Sequence, residues 1–194
     1  MATLILRPTS GSGTSWSNIG NAYDGSDSTT ATVSVRSSNY SSRTATFNFS
    51  ASGIPSNATI NNATLTIRAK TSSSSRTVNV YADINGSSSS RAMNQKLSTS
   101  TTNYTADVSS YINSLSTIKI TGYTDSSSSS TFSLYEIYIT VDYTEETTSK
   151  VNNIYIGSGN LSKVTIGSTT ILKVYIGDIL IYESSWPIIS VYVN

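Results

Sequence analysis

Neither cysteine nor histidine occurs anywhere in the 194 residues. The first absence excludes disulfides and thiol nucleophiles. The second removes imidazole bases and Ser-His-Asp relays, and together they remove the usual zinc ligands. Hydrolysis would then have to rest on a pair of carboxylates. The eleven acidic residues mostly stand singly beside glycine or serine, which is the chemistry of turns. A non-enzymatic protein is expected. Charge is scarce as well: 12% of residues are charged and the net charge is +1. No basic footprint for nucleic acid or an anionic membrane is present. No apolar run approaches the ~20 residues that span a bilayer. The start, Met1 to Arg7, has neither the charged beginning nor the long apolar stretch of a secretory leader. Either assembly in the cytosol or export by another route is therefore expected.

Proline is rare too, with three residues, and so is methionine, with two, whereas tyrosine occurs thirteen times and hydrophobic residues make up 37%. A chain rich in Thr, Tyr, Val and Ile is a chain of strands. Alternation places them at Ala2–Arg7, Ala31–Arg36, Thr44–Ser50, Ala63–Lys70, Thr77–Ile84, Thr117–Tyr123 and Phe132–Tyr143. Within these, Leu65, Ile67 and Ala69 form one apolar face, as do Val78, Val80 and Ala82. Such strands separated by Ser/Asn/Gly turns predict an all-β, jelly-roll-like antiparallel sandwich over residues 1–145.

One segment breaks the alternation. Val108, Tyr111, Ile112 and Leu115 recur at helical spacing behind Asp107, a suitable N-cap, which predicts one short helix. The serine runs at 72–75, 87–90 and 126–130 read as exposed connections. Asn-x-Ser/Thr triplets at Asn39, Asn57, Asn62, Asn103 and Asn160 are what chance gives in so hydroxyl-rich a chain. Thr144–Lys150 is a polar connector with an adjacent acidic pair, Glu145 and Glu146.

Beyond it, residues 146–194 carry a ten-residue repeat. Ile154-Tyr155-Ile156-Gly157 recurs as Val164-Thr165-Ile166-Gly167 and as Val174-Tyr175-Ile176-Gly177, with Leu161, Ile171 and Ile181 also aligned. Each unit reads as strand, turn and return strand, giving a small β-meander. The segment is too short for a core of its own and must dock on something. Trp186-Pro187 and the apolar residues to Val193 add a last strand suited to edge pairing. The expected assembly interface is Ile154, Tyr155, Ile156, Val164, Ile166, Val174, Tyr175, Ile176, Ile181 and Trp186.

Within the main domain, Asn21-Ala22-Tyr23-Asp24-Gly25-Ser26-Asp27-Ser28-Thr29 is the densest polar loop. Two aspartates with glycine between them and hydroxyls after can wrap a hard cation such as Ca²⁺; an Asx-turn satisfied by its own hydrogen bonds is the alternative. The loop resembles the first loop of discoidin-type, galactose-binding-like sandwiches, and Ser133-Leu134-Tyr135-Glu136-Ile137-Tyr138-Ile139 resembles their closing strand. The resemblance implies a structural Ca²⁺ held by Asp24, Thr29 and Glu136, with Asp27 as an extra ligand. Where the family has Trp two residues after the Thr, this chain has Ala31. Ala58 to Ile67 with Ala106 to Ile112 is similar to a second jelly-roll group, found in surface-associated carbohydrate-binding modules. Glycan binding needs aromatic and polar groups in shared loops, and Trp16, Tyr23, Tyr40 and Tyr123 fall in loop-like sequence. For each the bland alternative is packing at the sandwich edge.

The repeat, from Val151 to Gly157 and from Lys173 to Glu183, resembles tail segments of tailed-bacteriophage virion proteins. That resemblance implies a structural protein of the virion surface (capsid decoration or head fibre, or a tail or baseplate accessory) assembled in the bacterial cytoplasm. Its partners would be other virion proteins and its own copies, with a host surface glycan as a further ligand. No cofactor is required in this reading beyond the candidate Ca²⁺. The alternative is a carbohydrate-binding module or host-glycan adhesin.

Overall fold

The computed structural model describes residues 1–39 and 43–145. In the C-terminal part it describes the strands at 164–166, 169–171, 173–176, 179–183 and 190–193. The chain divides into two compact units, Met1–Glu146 and Thr147–Asn194.

In the first unit ten strands follow in order: β1 (Ala2–Leu6), β2 (Ser10–Ser12), β3 (Ala31–Val35), β4 (Thr44–Asn48), β5 (Ala58–Thr71), β6 (Asn79–Ile84), β7 (Arg91–Lys96), β8 (Thr102–Asp107), β9 (Thr117–Tyr123) and β10 (Ser130–Glu145). They make two five-stranded antiparallel sheets. One has the order β1-β10-β5-β8, with β3 pairing the first half of β10 while β1 pairs the second. The other has the order β2-β4-β9-β6-β7. This is a jelly-roll-like sandwich, as the alternation predicts.

Apolar residues at period two point inward from both sheets and meet in one core. Ala63, Leu65, Ile67 and Ala69 of β5 face it together with Phe132, Leu134, Ile137, Ile139 and Val141 of β10. Phe47, Val80, Ala82, Ile84, Ile118 and Ile120 close it from the second sheet. Gly122 leaves no room for a side chain between the sheets: a Cβ there would lie 2.7 Å from Val35 Cγ1 and 2.8 Å from Phe132 Cδ1.

A β-bulge interrupts β10 between Leu134 and Glu136. The extra residue, Tyr135, shifts the parity, so that Leu134 and Ile137 both face inward while Glu136 and Tyr138 turn to the outer face. Three strands escape the alternation rule. β2, β7 and β8 are mostly polar, because edge strands bury little. The expected helix is a single 3₁₀ segment, Ser109–Ser114. Asp107 Oδ1 accepts the Ser109 N–H at 2.9 Å, and Val108, Ile112 and Leu115 are buried as the spacing implies.

The second unit consists of β11 (Val164–Ile166), β12 (Thr169–Ile171), β13 (Lys173–Ile176), β14 (Ile179–Glu183) and β15 (Ser190–Val193). β11 pairs β12 and β13 pairs β14, both antiparallel, so the ten-residue period is expressed as successive hairpins. β15 lies parallel to β13, which gives the order β14-β13-β15. Of the expected interface residues, Val164, Ile166, Val174, Tyr175, Ile176 and Ile181 fall on these strands. Ile154, Tyr155, Ile156 and Trp186 lie outside the described residues.

Candidate functional site

The outer face of the β2-β4-β9-β6-β7 sheet carries Tyr81 on β6 and Tyr123 at the end of β9. The register opposes Asn79 to Tyr123 and Tyr81 to Thr121, so the two tyrosines are diagonal neighbours on one face. Their rings stack with centroids 5.4 Å apart and 19° between planes. Arg43 stands over the Tyr123 ring at 5.4 Å, and Arg91 over the Tyr81 ring at 4.0 Å. Arg91 is fixed in turn by Asp83, Nε to Oδ1 at 2.7 Å.

Beside Tyr123, where β9 leaves the sheet, is a cleft of about 320 Å³ lined by Ser75, Arg76, Thr77, Asn79, Thr124, Asp125 and Ser126. That volume suits a small ligand. The Tyr123 hydroxyl donates to Asp125, which orients the carboxylate and holds the phenol above its ordinary pKa of 10.0. Arg76 Nη1 donates to the Ser129 carbonyl at 3.0 Å and ties the β5–β6 connection to the β9–β10 loop. Under the cleft Arg43, 1% exposed, donates to the carbonyls of Arg36 at 2.6 Å and Thr124 at 3.5 Å. A buried guanidinium thus braces two connections at once. The lining supplies one cation, one anion, an amide and several hydroxyls against an aromatic wall. This mix can donate to and accept from a polyhydroxylated molecule without favouring either charge.

The other residues expected to bind glycan are placed differently. Trp16 is only 9% exposed and meets Phe132 edge to face, with centroids 5.3 Å apart, so it is a core residue. The loop-like sequence around it conceals a side chain folded under the sheet edge, and its placement corrects the glycan expectation. Tyr23 is half-buried, edge-on to Phe47 at 6.1 Å, and belongs to the wall of the core. Tyr40 lies outside the described residues. Of the four, Tyr123 lines a cleft. Tyr81, Arg43 and Arg76 have no signal in the sequence beyond their residue types, because only the fold brings them to Tyr123, whereas Asp125 is two residues away from it.

The loop at Asn21–Thr30 closes on itself. Asp24 Oδ1 accepts the Ser26 N–H at 2.8 Å and Oδ2 accepts the Thr29 hydroxyl at 2.7 Å. The Thr29 hydroxyl bond, then the Ser26 amide, lowers the Asp24 pKa from its usual value. Asn21 Nδ2 reaches the Thr30 carbonyl at 3.2 Å and closes the loop's two ends. Gly25 sits at φ +80°, in the left-handed region, against the Arg7 guanidinium. Asp27 pairs with Arg68 at 2.5 Å, and Glu136 pairs with Arg7. Asp24, Asp27, Thr29 and Glu136 therefore do not fit a calcium ion: loop donors hold both Asp24 oxygens, arginines pair with Asp27 and Glu136, and a guanidinium lies between loop and closing strand. Among the described residues no three acidic groups are placed to share a metal.

No protein-family model matches the sequence, and no characterised relative matches it. Among solved structures, the chain is similar to a truncated AlyQ with CBM32 and alginate lyase domains, at a TM-score of 0.45 and 15% identity. The match covers 75% of this chain and 34% of that one, so the chain spans about a third of that protein's length.

Proposed function

We propose that residues 1–146 form a non-catalytic carbohydrate-binding module that holds its ligand in the cleft beside Tyr123. One observation carries the reading: Asp125, Arg76, Asn79 and the hydroxyls of Ser75, Thr77 and Ser126 surround a single cleft walled by Tyr123. Sugar hydroxyls both donate and accept, and a charge-balanced set of donors and acceptors on a rigid sheet end matches them. The ring faces are engaged by Tyr81 and Arg43, so Tyr123 serves as a wall and a hydroxyl, and the polar rim gives the specificity. Titration calorimetry against a panel of neutral and acidic polysaccharides tests it. Saturable heat that disappears in Tyr123→Ala supports the module; no heat with any of them, or heat unchanged in the variant, overturns it.

A second reading concerns attachment. In the sheet β14-β13-β15 the outer strands β14 and β15 each pair on one side among the described residues, and open strand edges accept further strands. In this reading residues 147–194 join the protein to its own copies or to a particle such as a phage capsid or tail, and the sandwich is the displayed part. Sedimentation of the full chain tests it: a monomer at all concentrations counts against self-association, and failure to co-purify with particles counts against the virion role.

A further inference from the structure

On the outer face of the β1-β10-β5-β8 sheet is a second hollow, of about 300 Å³, lined by Ile5, Arg7, Gly25, Asp27, Arg68, Asn103, Glu136 and Tyr138. Register puts Asn103, Arg68 and Glu136 in one line across β8, β5 and β10. Glu136 is 3% exposed: its Oε2 takes the Arg7 guanidinium, while its Oε1 is buried with no hydrogen-bond partner. Buried carboxylate oxygens are ordinarily satisfied, so an orphaned one on a residue that lines an open hollow marks a place where a donor belongs. Arg7 and Arg68 hold one carboxylate each and keep further N–H donors, with 37% and 33% of their side chains exposed. Tyr138, beneath Arg7 at 5.4 Å, and Ile5, 53% exposed, supply apolar surface beside the polar line.

We propose that this hollow is a second ligand site, one that takes a neutral saccharide unit through a vicinal diol. One hydroxyl donates to Glu136 Oε1, and its neighbour accepts from the Arg7 or Arg68 guanidinium. The charge balance selects the ligand class. An anion drawn to the two arginines meets Glu136 and Asp27, and a cation drawn to the carboxylates meets the arginines; a diol uses both and opposes neither. The hollow's size suits a single sugar ring. The inference shares the carbohydrate class with the cleft beside Tyr123 but rests on different residues on the other sheet. With both sites, the sandwich carries one ligand on an outer face and one at the end of the other sheet, and can engage two chains at once.

The test is an amide NMR titration of the full ¹⁵N-labelled chain with glucose, galactose and mannose and their oligomers. Saturable shifts are expected at Gly25, Arg68, Asn103 and Tyr138, weakened at least about tenfold in Glu136→Gln and in Arg68→Met. Arg68→Met guards against a Glu136 variant that fails to fold, since Arg68 is part-exposed. Shifts confined to residues 75–79 and 123–126 would overturn the second site and leave the first standing. Shifts here with none there would overturn the first and leave the second. Tighter binding of glucuronate than of glucose at these amides would overturn the neutral-diol assignment.

Discussion

Tyr123 stacks on Tyr81 across the β9–β6 pair at 5.4 Å, and the same Tyr123 donates its hydroxyl to Asp125. The stack fixes the ring and the ring fixes the carboxylate, so the cleft is ordered before any ligand arrives. Preorganisation of this kind limits the ordering entropy lost on binding.

Tyr123→Phe therefore separates wall from hydroxyl. The stack survives while Asp125 loses its donor. A charge-assisted hydrogen bond contributes about 1.5–3 kcal/mol, so affinity for the preferred saccharide is expected to fall about ten- to a hundredfold. Asp125→Asn should weaken binding similarly, and both variants should melt within a few degrees of the parent. Calorimetry with thermal melts checks both halves; full affinity in Tyr123→Phe would remove Asp125 from the site.

The core argument makes the opposite prediction for Trp16. If it is a buried wedge against Phe132, Trp16→Ala should cost about 3–5 kcal/mol of stability, read by urea unfolding, with the folded fraction binding normally. Gly122→Ala should also destabilise, by about 1–3 kcal/mol, since its Cβ would strike Val35 and Phe132. Combining it with Val35→Ala should recover part of the loss. A Trp16 variant that is stable but fails to bind would return Trp16 to the ligand surface.

These two residues show what the sequence makes legible. Period-two alternation identifies β3, β4, β5 and β9 because inward and outward positions differ there in polarity. The bulge in β10 is not legible: the segment reads as one continuous strand, and the extra residue between Leu134 and Glu136 shows itself only in the pairing with β5. Edge strands β7 and β8 bury too little to show the pattern. The cleft was half legible. Tyr123 is one of four aromatics in loop-like sequence, but its partners Arg43, Tyr81 and Arg76 come from just before β4, from β6 and from the β5–β6 connection. Local spacing carries no information about register between strands. The same limit explains Glu136: its place at the head of the closing strand is visible, whereas Arg7, 129 residues away, is not.

Calcium should leave the protein unchanged. Arg7 and Arg68 already neutralise Glu136 and Asp27, so millimolar Ca²⁺ is expected to give no rise in melting temperature and EDTA no fall. A rise with Ca²⁺ would mean that the arginines yield the carboxylates to the metal. Arg7→Ala, by contrast, leaves Glu136 buried and uncompensated, and should destabilise by about 3–5 kcal/mol.

Stability should be flat across neutral pH and fail at the acid end. With no histidine, no side chain of ordinary pKa changes charge between about pH 6 and 8. Two acidic groups carry a clear acid dependence: Asp24, held below its usual 3.8 chiefly by the Thr29 hydroxyl, and Asp107, lowered chiefly by the Ser109 hydroxyl. A depressed folded pKa means that the unfolded chain binds the proton first. Each aspartate's contribution is therefore whole above pH 3.8 and is withdrawn as pH falls through the lower folded value. Thermal melts from pH 7 to pH 2 should show a plateau and then a fall that begins near pH 4. Asp24→Asn and Asp107→Asn should each lower the plateau and make the acid fall shallower. An acid fall unchanged in the double variant would assign it to other carboxylates and remove both Asx-type bonds from the account of stability.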